Sequence, residues 1–272
     1  MLEAFASLQC SAPWNGCTVH WSGLVFPCCS ICEDHDSADS HSGNMILGDL
    51  NRDSLYDILN GEAAWNLRRA WVEGDLSRTC CSHCHVARQH TCNPYFRTDA
   101  FARYIDQTYS HRDGKLVQER FEPFPLDRLE VQINSSCQLR CTFCRLDYAP
   151  TGAPELRKHG HIGVDLFERL LDEAIALGGA GAELYTHWSG EPLVHPHKER
   201  IYEIVGNRPF FAATIVTNGV LLEEPFIDHL LGLPRPPMVY VSMHAATREG
   251  YQATTGRDLY PRIQKNVAML LD

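Results

Sequence analysis

The sequence predicts an α/β fold: a parallel sheet, open or closed into a barrel, preceded by a small cysteine-rich α+β segment. Three observations carry this. Strand-like and helix-like patterns alternate through the second half of the 272-residue chain. The unusual short motifs there, "CQLRCTFC", "SGEP", "TNG" and "SMHA", each fall at or just after a strand end, where parallel α/β folds place their chemistry. All 12 cysteines lie at or before Cys144.

The elements follow in order. "HWSGLVFPCC" (20–29) predicts a short hairpin turning at Ser22–Gly23. "RDSLYDILNGEAAWNLRRAWVEG" (52–74) predicts a helix with Leu55, Ile58 and Leu59 on one face, interrupted at Gly61 and ended at Gly74. "RDGKLVQERFEPFPLDR" (112–128) is polar and then proline-punctuated, and is expected to link two domains. "RLEVQINSS" (128–136) alternates Leu129, Val131 and Ile133 as a strand does. "DLFERLLDEAIALGG" (165–179) is an amphipathic helix, with Asp165 and Glu168 spaced as a capping box and Gly178–Gly179 at its end. "AELYTHWSG" (182–190), "FFAATIVTNG" (210–219) and "MVYVSMHA" (238–245) are three more strands. "EPFIDHLLGL" (224–233) and "YPRIQKNVAMLLD" (260–272) are helices.

Composition bounds the function. The chain is 44% hydrophobic and 21% charged, an ordinary globular balance. A formal net charge of −10 and the lack of a basic stripe argue against nucleic-acid binding. No apolar run reaches the roughly 18–20 residues of a membrane span. The first residues, "MLEAFASLQCSAPW", lack a basic stretch followed by a long apolar core, so a cytoplasmic protein without signal peptide is expected. A disulfide framework fits poorly. The cysteines cluster in C-x2-C patterns and as neighbours (Cys28–Cys29, Cys80–Cys81), which suits metal or iron–sulfur ligation better.

Cys137, Cys141 and Cys144 are spaced C-x3-C-x2-C. A [4Fe–4S] cluster ordinarily takes four cysteines, one per iron. Three leave one iron open, as catalytic zinc sites keep one position open. Spacing alone also admits a zinc site completed by a distant histidine, or a closed cluster with a fourth cysteine from elsewhere.

The ordered motifs resemble the radical S-adenosylmethionine (SAM) superfamily. C-x3-C-x2-C follows a first strand, with Phe143 before the last cysteine. "WSGEPL" (188–193) resembles the family's GGEP motif, with Ser189 in place of the first glycine. "TIVTNG" (214–219), "VSMHAAT" (241–247, with His244 where Asp is common) and "TTGRD…IQKNVAMLL" (254–271) resemble its later segments. The resemblance implies a [4Fe–4S] cluster coordinated by Cys137, Cys141 and Cys144 and by SAM. It implies reductive cleavage of SAM to a 5′-deoxyadenosyl radical that takes a hydrogen atom from the substrate. It places Gly190, Glu191 and Pro192, with Ser189, at the amino end of SAM, the Phe143 backbone at the adenine, and Ser242, His244 and Asn218 near ribose or carboxylate. It also implies an electron donor such as flavodoxin or ferredoxin. The family's core has six strand–helix units. Four are legible here, so a partial (β/α)6-type barrel, truncated at its C-terminal side, is expected.

In the first cysteine field, Cys10, Cys28, Cys81 and Cys84 are spaced C-x17-C…C-x2-C. Four thiolates make a closed site, for a [4Fe–4S] cluster or a structural zinc. With "PW", "GLVFPCC", "LGDLNRDSLYDIL" and "CCSHC", this resembles the SPASM/twitch auxiliary-cluster module, and implies a second, auxiliary [4Fe–4S] cluster. Cys17, Cys29, Cys32, Cys80 and Cys92 are left over as buried small side chains or neighbours of the ligands; Cys29 and Cys32 could also serve a further cluster. His187, His195 and His197 surround the "SGEP" motif without metal-like spacing. Trp14, Trp21, Trp65 and Trp71 are expected to pack.

The expected organisation is therefore an auxiliary domain at 1–111, a linker at 112–127 and a radical SAM core at 128–272. The substrate is a peptide or a small molecule such as a sugar or aminoglycoside-type alcohol. The alternative is a non-enzymatic iron–sulfur or zinc protein for electron transfer or scaffolding.

Overall fold

The computed structural model describes residues 10–28, 46–84, 99–119, 125–144, 159–178 and 181–271. One seven-stranded sheet organises them, in the order β3-β2-β1-β6-β7-β8-β9. Its strands are β1 (Gly16–Val19), β2 (Leu24–Phe26), β3 (Gly48–Asp49), β6 (Arg128–Val131), β7 (Glu183–Tyr185), β8 (Ala212–Thr217) and β9 (Met238–Val241). The four strands from β6 to β9 pair in parallel. Helix α5 (Val164–Ala176) follows β6, α6 (Lys198–Gly206) follows β7 and α7 (Glu224–Leu231) follows β8. Helices α8 (Arg248–Thr255) and α9 (Tyr260–Leu271) follow β9. These are the four strand–helix units expected.

The first cysteine field joins the same sheet. β1 runs parallel to β6, with Gly16 opposite Arg128 and Val19 opposite Val131. β2 and β3 continue outward from it antiparallel. The turn between β1 and β2 spans Trp21–Gly23, and Gly23 there has φ +98°, a conformation that favours glycine.

The two faces of the sheet differ, because side chains alternate along each strand. Cys17, Val19, Leu129, Val131, Leu184 and Ile215 share one face and are buried in the main core. Helix α5 brings Phe167, Leu170, Leu171 and Ala174 against it, at the i, i+3, i+4, i+7 spacing of one helical face. Fully burying a leucine or phenylalanine in this way contributes about 1.5–3 kcal/mol. The other face is polar. It carries Thr18, Glu130, Tyr185 and Thr214, opposite one another in register. A parallel sheet covered by helices on both sides would be apolar on both. Here the polar face is the inward side of a partial barrel.

A second core holds the rest of the N-terminal part. α2 (Leu55–Asn60) and α3 (Glu62–Glu73) are separated by Gly61, and Gly74 ends α3 in the left-handed region. α1 (Ala12–Asn15), α3 and α4 (Asp99–Thr108) enclose Trp14, Leu67, Trp71, Phe101, Ile105 and Tyr109. Trp14 Nε1 donates to Tyr109 Oη at 3.1 Å. The tryptophans expected to pack do so.

Two local expectations are corrected. The start of α5 is no capping box: Gly163 is the N-cap, with no side-chain cap bond. Glu168 turns outward to Arg200 and Arg208 instead. Of the expected linker 112–127, residues 112–118 belong to a hairpin. β4 (Tyr109–Arg112) and β5 (Lys115–Gln118) form a hairpin. Asp113 and Gly114 both have positive φ, 52° and 73°, the two-residue Asp-Gly turn whose twist suits adjoining strands.

Candidate functional site

The cysteine loop begins at Cys137, six residues past Val131 at the end of β6. The C-terminal ends of β7, β8 and β9 bring the other motifs to it.

Gly190 comes first in the assembly. Its φ is +89°, and a Cβ there would lie 2.4 Å from the Asn134 carbonyl oxygen and 2.8 Å from Ser135 Cα. Only glycine lets the loop after β7 lie this close to the chain entering the cysteine loop. The Glu191 N–H then donates to the Ser136 carbonyl at 2.8 Å, and Asn134 Nδ2 donates to the Glu191 carbonyl at 2.9 Å.

The Glu191 carboxylate is buried, 2% exposed. It accepts from Thr217 Oγ1 at 2.7 Å, from the Asn218 N–H at 2.8 Å and from the Leu193 N–H at 3.0 Å. It therefore ties the "SGEP" loop to the end of β8 and caps the 3₁₀ turn Pro192–Val194. Burial pushes its pKa up, and the donors from Asn218, Thr217 and Leu193 pull it back. Pro192 is buried beside it. Ser189 receives Gln132 Nε2 on its hydroxyl and, at 3.3 Å, on its carbonyl.

Asn218 faces the first cysteine. Its Nδ2 donates to Cys137 Sγ at 3.6 Å, and its Oδ1 accepts from Gln138 Nε2 at 2.9 Å. The Leu139 N–H also points at Cys137 Sγ, at 3.4 Å. Donors aimed at a thiolate sulfur are what tune an iron–sulfur centre. The far side of the loop is pinned to the end of α8, where Arg140 N–H and Thr142 N–H donate to the carbonyls of Thr255 and Thr254 at 3.0 and 2.9 Å. Cys137 and Cys141 are half-buried and Cys144 is exposed. Burial raises the Cys137 and Cys141 thiols, and the charges of their fellow cysteines raise them further. A metal reverses that pressure by holding the thiolate.

From the fourth strand, Ser242 N–H donates to the Thr217 carbonyl at 2.7 Å. The His244 ring meets the exposed Phe143 ring edge-on, with centroids 4.8 Å apart. Cys137, Phe143, Gly190, Glu191, Asn218, Ser242 and His244 are thus gathered at one end of the sheet. Sequence reasoning missed Thr217, Gln132 and Gln138. Thr217 stood inside the quoted "TIVTNG" segment, while the two glutamines carried no signal.

The N-terminal thiols gather on two adjoining patches. Cys81 is buried in the second core, with Cys10, Cys80 and Cys84 packed against it. Cys28 and Cys80 pack against Phe26, as does Trp188 from the "WSGEP" stretch, whose ring lies 5.4 Å from that of Phe26. Cys80, expected only as a left-over, adjoins both Cys28 and Cys81. Cys17 is a core residue, its thiol raised to about 12 by burial and by Glu130. Cys29, Cys32 and Cys92 lie outside the described residues. Among the described residues there is no disulfide, and no three His, Cys, Asp or Glu side chains converge on a single metal ion. A cubic cluster does not ask for that convergence, since each thiolate takes a different iron. His195 is buried and bonds the Ile162 carbonyl at 3.0 Å through Nε2. Among the described residues no helix is long and apolar enough to cross a membrane.

The comparisons with known proteins agree with this arrangement. The Radical SAM superfamily model matches residues 131–272, more than half of the chain. An iron–sulfur cluster-binding domain model, SPASM, matches residues 10–85. The chain is 32% identical over 150 residues to a GTP 3′,8-cyclase of Chlorobaculum tepidum, covering 54% of this chain and 41% of that protein. It is 30% identical over 144 residues to a GTP 3′,8-cyclase of Stenotrophomonas maltophilia, covering 52% and 41%. A probable GTP 3′,8-cyclase of Saccharolobus solfataricus is 23% identical over 148 residues, covering 54% and 44%. The matched stretch spans less than half the length of these curated relatives. The family matches imply a [4Fe–4S] cluster with SAM, and an additional iron–sulfur cluster in the N-terminal part. With its three-cysteine loop set among strand ends and its family match reaching from β6 to the end of α9, the chain belongs to the radical SAM superfamily.

Proposed function

We propose that this protein is a radical SAM enzyme that abstracts a hydrogen atom from a substrate held on the polar face of its sheet. The observation that carries the reading is the environment of Cys137. Its sulfur receives donors from Asn218 and Leu139, beside the two other thiols and the Gly190–Glu191 loop. The donor set fits a [4Fe–4S] cluster on Cys137, Cys141 and Cys144 with one iron left for SAM. When bound, cluster and SAM supply an electron and a 5′-deoxyadenosyl radical. The chain's own residues do the positioning. The Glu191 carboxylate is spent on Thr217, Asn218 and Leu193, so it shapes the SAM-binding loop, and the half-buried stretch at Ser189, Gly190 and Ser242 is left to meet the cofactor. Phe143 and His244 form an exposed aromatic corner for its adenine.

Cys10, Cys28, Cys81 and Cys84 hold the auxiliary cluster, with Cys80 beside it. The external reductant is a small electron carrier of the flavodoxin or ferredoxin kind. For the substrate, the similarity to GTP 3′,8-cyclases favours a purine nucleoside triphosphate. The expectation of peptide modification has no counterpart among the relatives named above, so small molecules rank ahead of peptides.

The test is iron and acid-labile sulfide per chain after anaerobic reconstitution, for the wild type and for a Cys137/Cys141/Cys144→Ala variant. About eight irons falling to about four supports both clusters. About four falling to near zero removes the auxiliary cluster from the reading. Release of 5′-deoxyadenosine from SAM under reducing conditions, compared with and without GTP, then tests the activity and the substrate. No cleavage by the fully loaded protein would favour the electron-transfer alternative.

A further inference from the structure

Tyr251 sits on α8, one turn before Thr255. Its residue is 0% exposed, and its hydroxyl has no hydrogen-bond partner among the described residues. A buried hydroxyl left unpaired is a liability that folded proteins rarely keep without use. Phenylalanine would fill the same space and remove it.

The surroundings say where the hydroxyl belongs. Tyr251 packs with Leu139, Val220 and Ile263, and Cys137 and Cys141 lie against that same patch. The helix end that carries it is bonded directly to the cysteine loop, through Arg140 and Thr142. One turn on along the same helix, Thr255 Oγ1 points its proton at main-chain carbonyls, that of Tyr251 at 2.8 Å or that of Arg257 at 3.1 Å.

We infer that the Tyr251 hydroxyl donates a hydrogen bond to a sulfur of the cluster held by Cys137, Cys141 and Cys144, and by doing so raises its reduction potential. This rests on the radical SAM reading of the three cysteines. The physics is direct. Reduction adds negative charge to the cluster, and a donor on its sulfur stabilises the reduced form more than the oxidised one. Asn218 and Leu139 serve Cys137 from one side. Tyr251 serves from the helix side, as a positioning and tuning residue.

The experiment is an EPR-monitored redox titration of the reconstituted full chain, wild type against Tyr251→Phe, with iron content and the melting temperature of the unloaded chain measured alongside. Tyr251→Phe is expected to load iron, to melt no lower than the wild type when unloaded, and to show a more negative cluster potential. A 3-fluorotyrosine at position 251, a stronger donor, is expected to move the potential the other way, and it decides the matter if the phenylalanine variant loads poorly. An iron-loaded variant with an unmoved potential overturns the inference alone. A wild-type chain that takes up no iron overturns the cluster reading and this inference together.

Discussion

The carboxylate of Glu191 accepts the backbone N–H of Asn218 at 2.8 Å, while the side chain of Asn218 donates to Cys137 Sγ. A loop carboxylate is thereby joined to a cysteine through a single residue. What looks in the sequence like a ligand-facing acid is, in the fold, the brace that sets the position of a sulfur donor.

Replacing that brace should be felt as stability. Glu191→Gln keeps one oxygen but aims an NH₂ group at donors that previously met a carboxylate. Leaving one buried donor unpaired costs about 1–3 kcal/mol. The urea midpoint of the unloaded chain should fall with an unchanged slope. An unmoved midpoint would show that the three bonds to Thr217, Asn218 and Leu193 carry no net weight.

Gly190→Ala should be harsher. The added methyl meets the Asn134 carbonyl oxygen at 2.4 Å, and the left-handed backbone adds roughly 1–2 kcal/mol of its own. The chain at Asn134–Ser135 must move, and Cys137 lies two residues beyond. Both the melting temperature and the iron bound after reconstitution are expected to drop. Normal iron loading would mean that the cysteine loop tolerates a displaced "SGEP" loop.

His20 supplies a pH dependence. It is 3% exposed, and its Nδ1 accepts the Ser22 N–H at 3.2 Å. Burial lowers its pKa to about 4, so the fold holds the ring neutral. The unfolded chain, with an ordinary value near 6.5, binds the proton first as pH falls. Stability from this group is thus present above about pH 6.5 and is lost progressively toward pH 4. Between pH 7 and 5 the loss is about 2 kcal/mol. His20→Gln should lose less stability than the wild type over that interval, by urea unfolding at the two pH values. Equal losses would place the wild-type ring in contact with water.

Much of this was legible in residue order. Alternation at Leu129, Val131 and Ile133 marked a strand, and the same alternation fixed which face met the helices. The three cysteines and the strand-end motifs located the site, because parallel sheets leave only their C-terminal ends for such loops. What escaped was long-range or sterically local. No spacing announces that β1 pairs with β6. Asp165 and Glu168 had the right separation for a cap, yet Gly163 ended the turn, because the chain entering α5 is extended there. The polar residues around Asp113-Gly114 read as a linker, and the hairpin turn there emerged only in the fold. The orphan hydroxyl of Tyr251 is visible only once helix and cysteine loop are set side by side.

The pairing of β1 with β6 has a consequence for how the chain is made. Thr18 Oγ1 bonds Glu130 Oε2 across 112 residues. At a synthesis rate of ~10 residues per second, β1 waits on the order of ten seconds before its parallel neighbour leaves the ribosome. Long closures of this kind are also slow to form. During that interval the thiols of Cys10, Cys28, Cys81 and Cys84 emerge ahead of the strand that completes their sheet. For that interval these thiols stand on a nascent chain whose parallel neighbour strand is still to come.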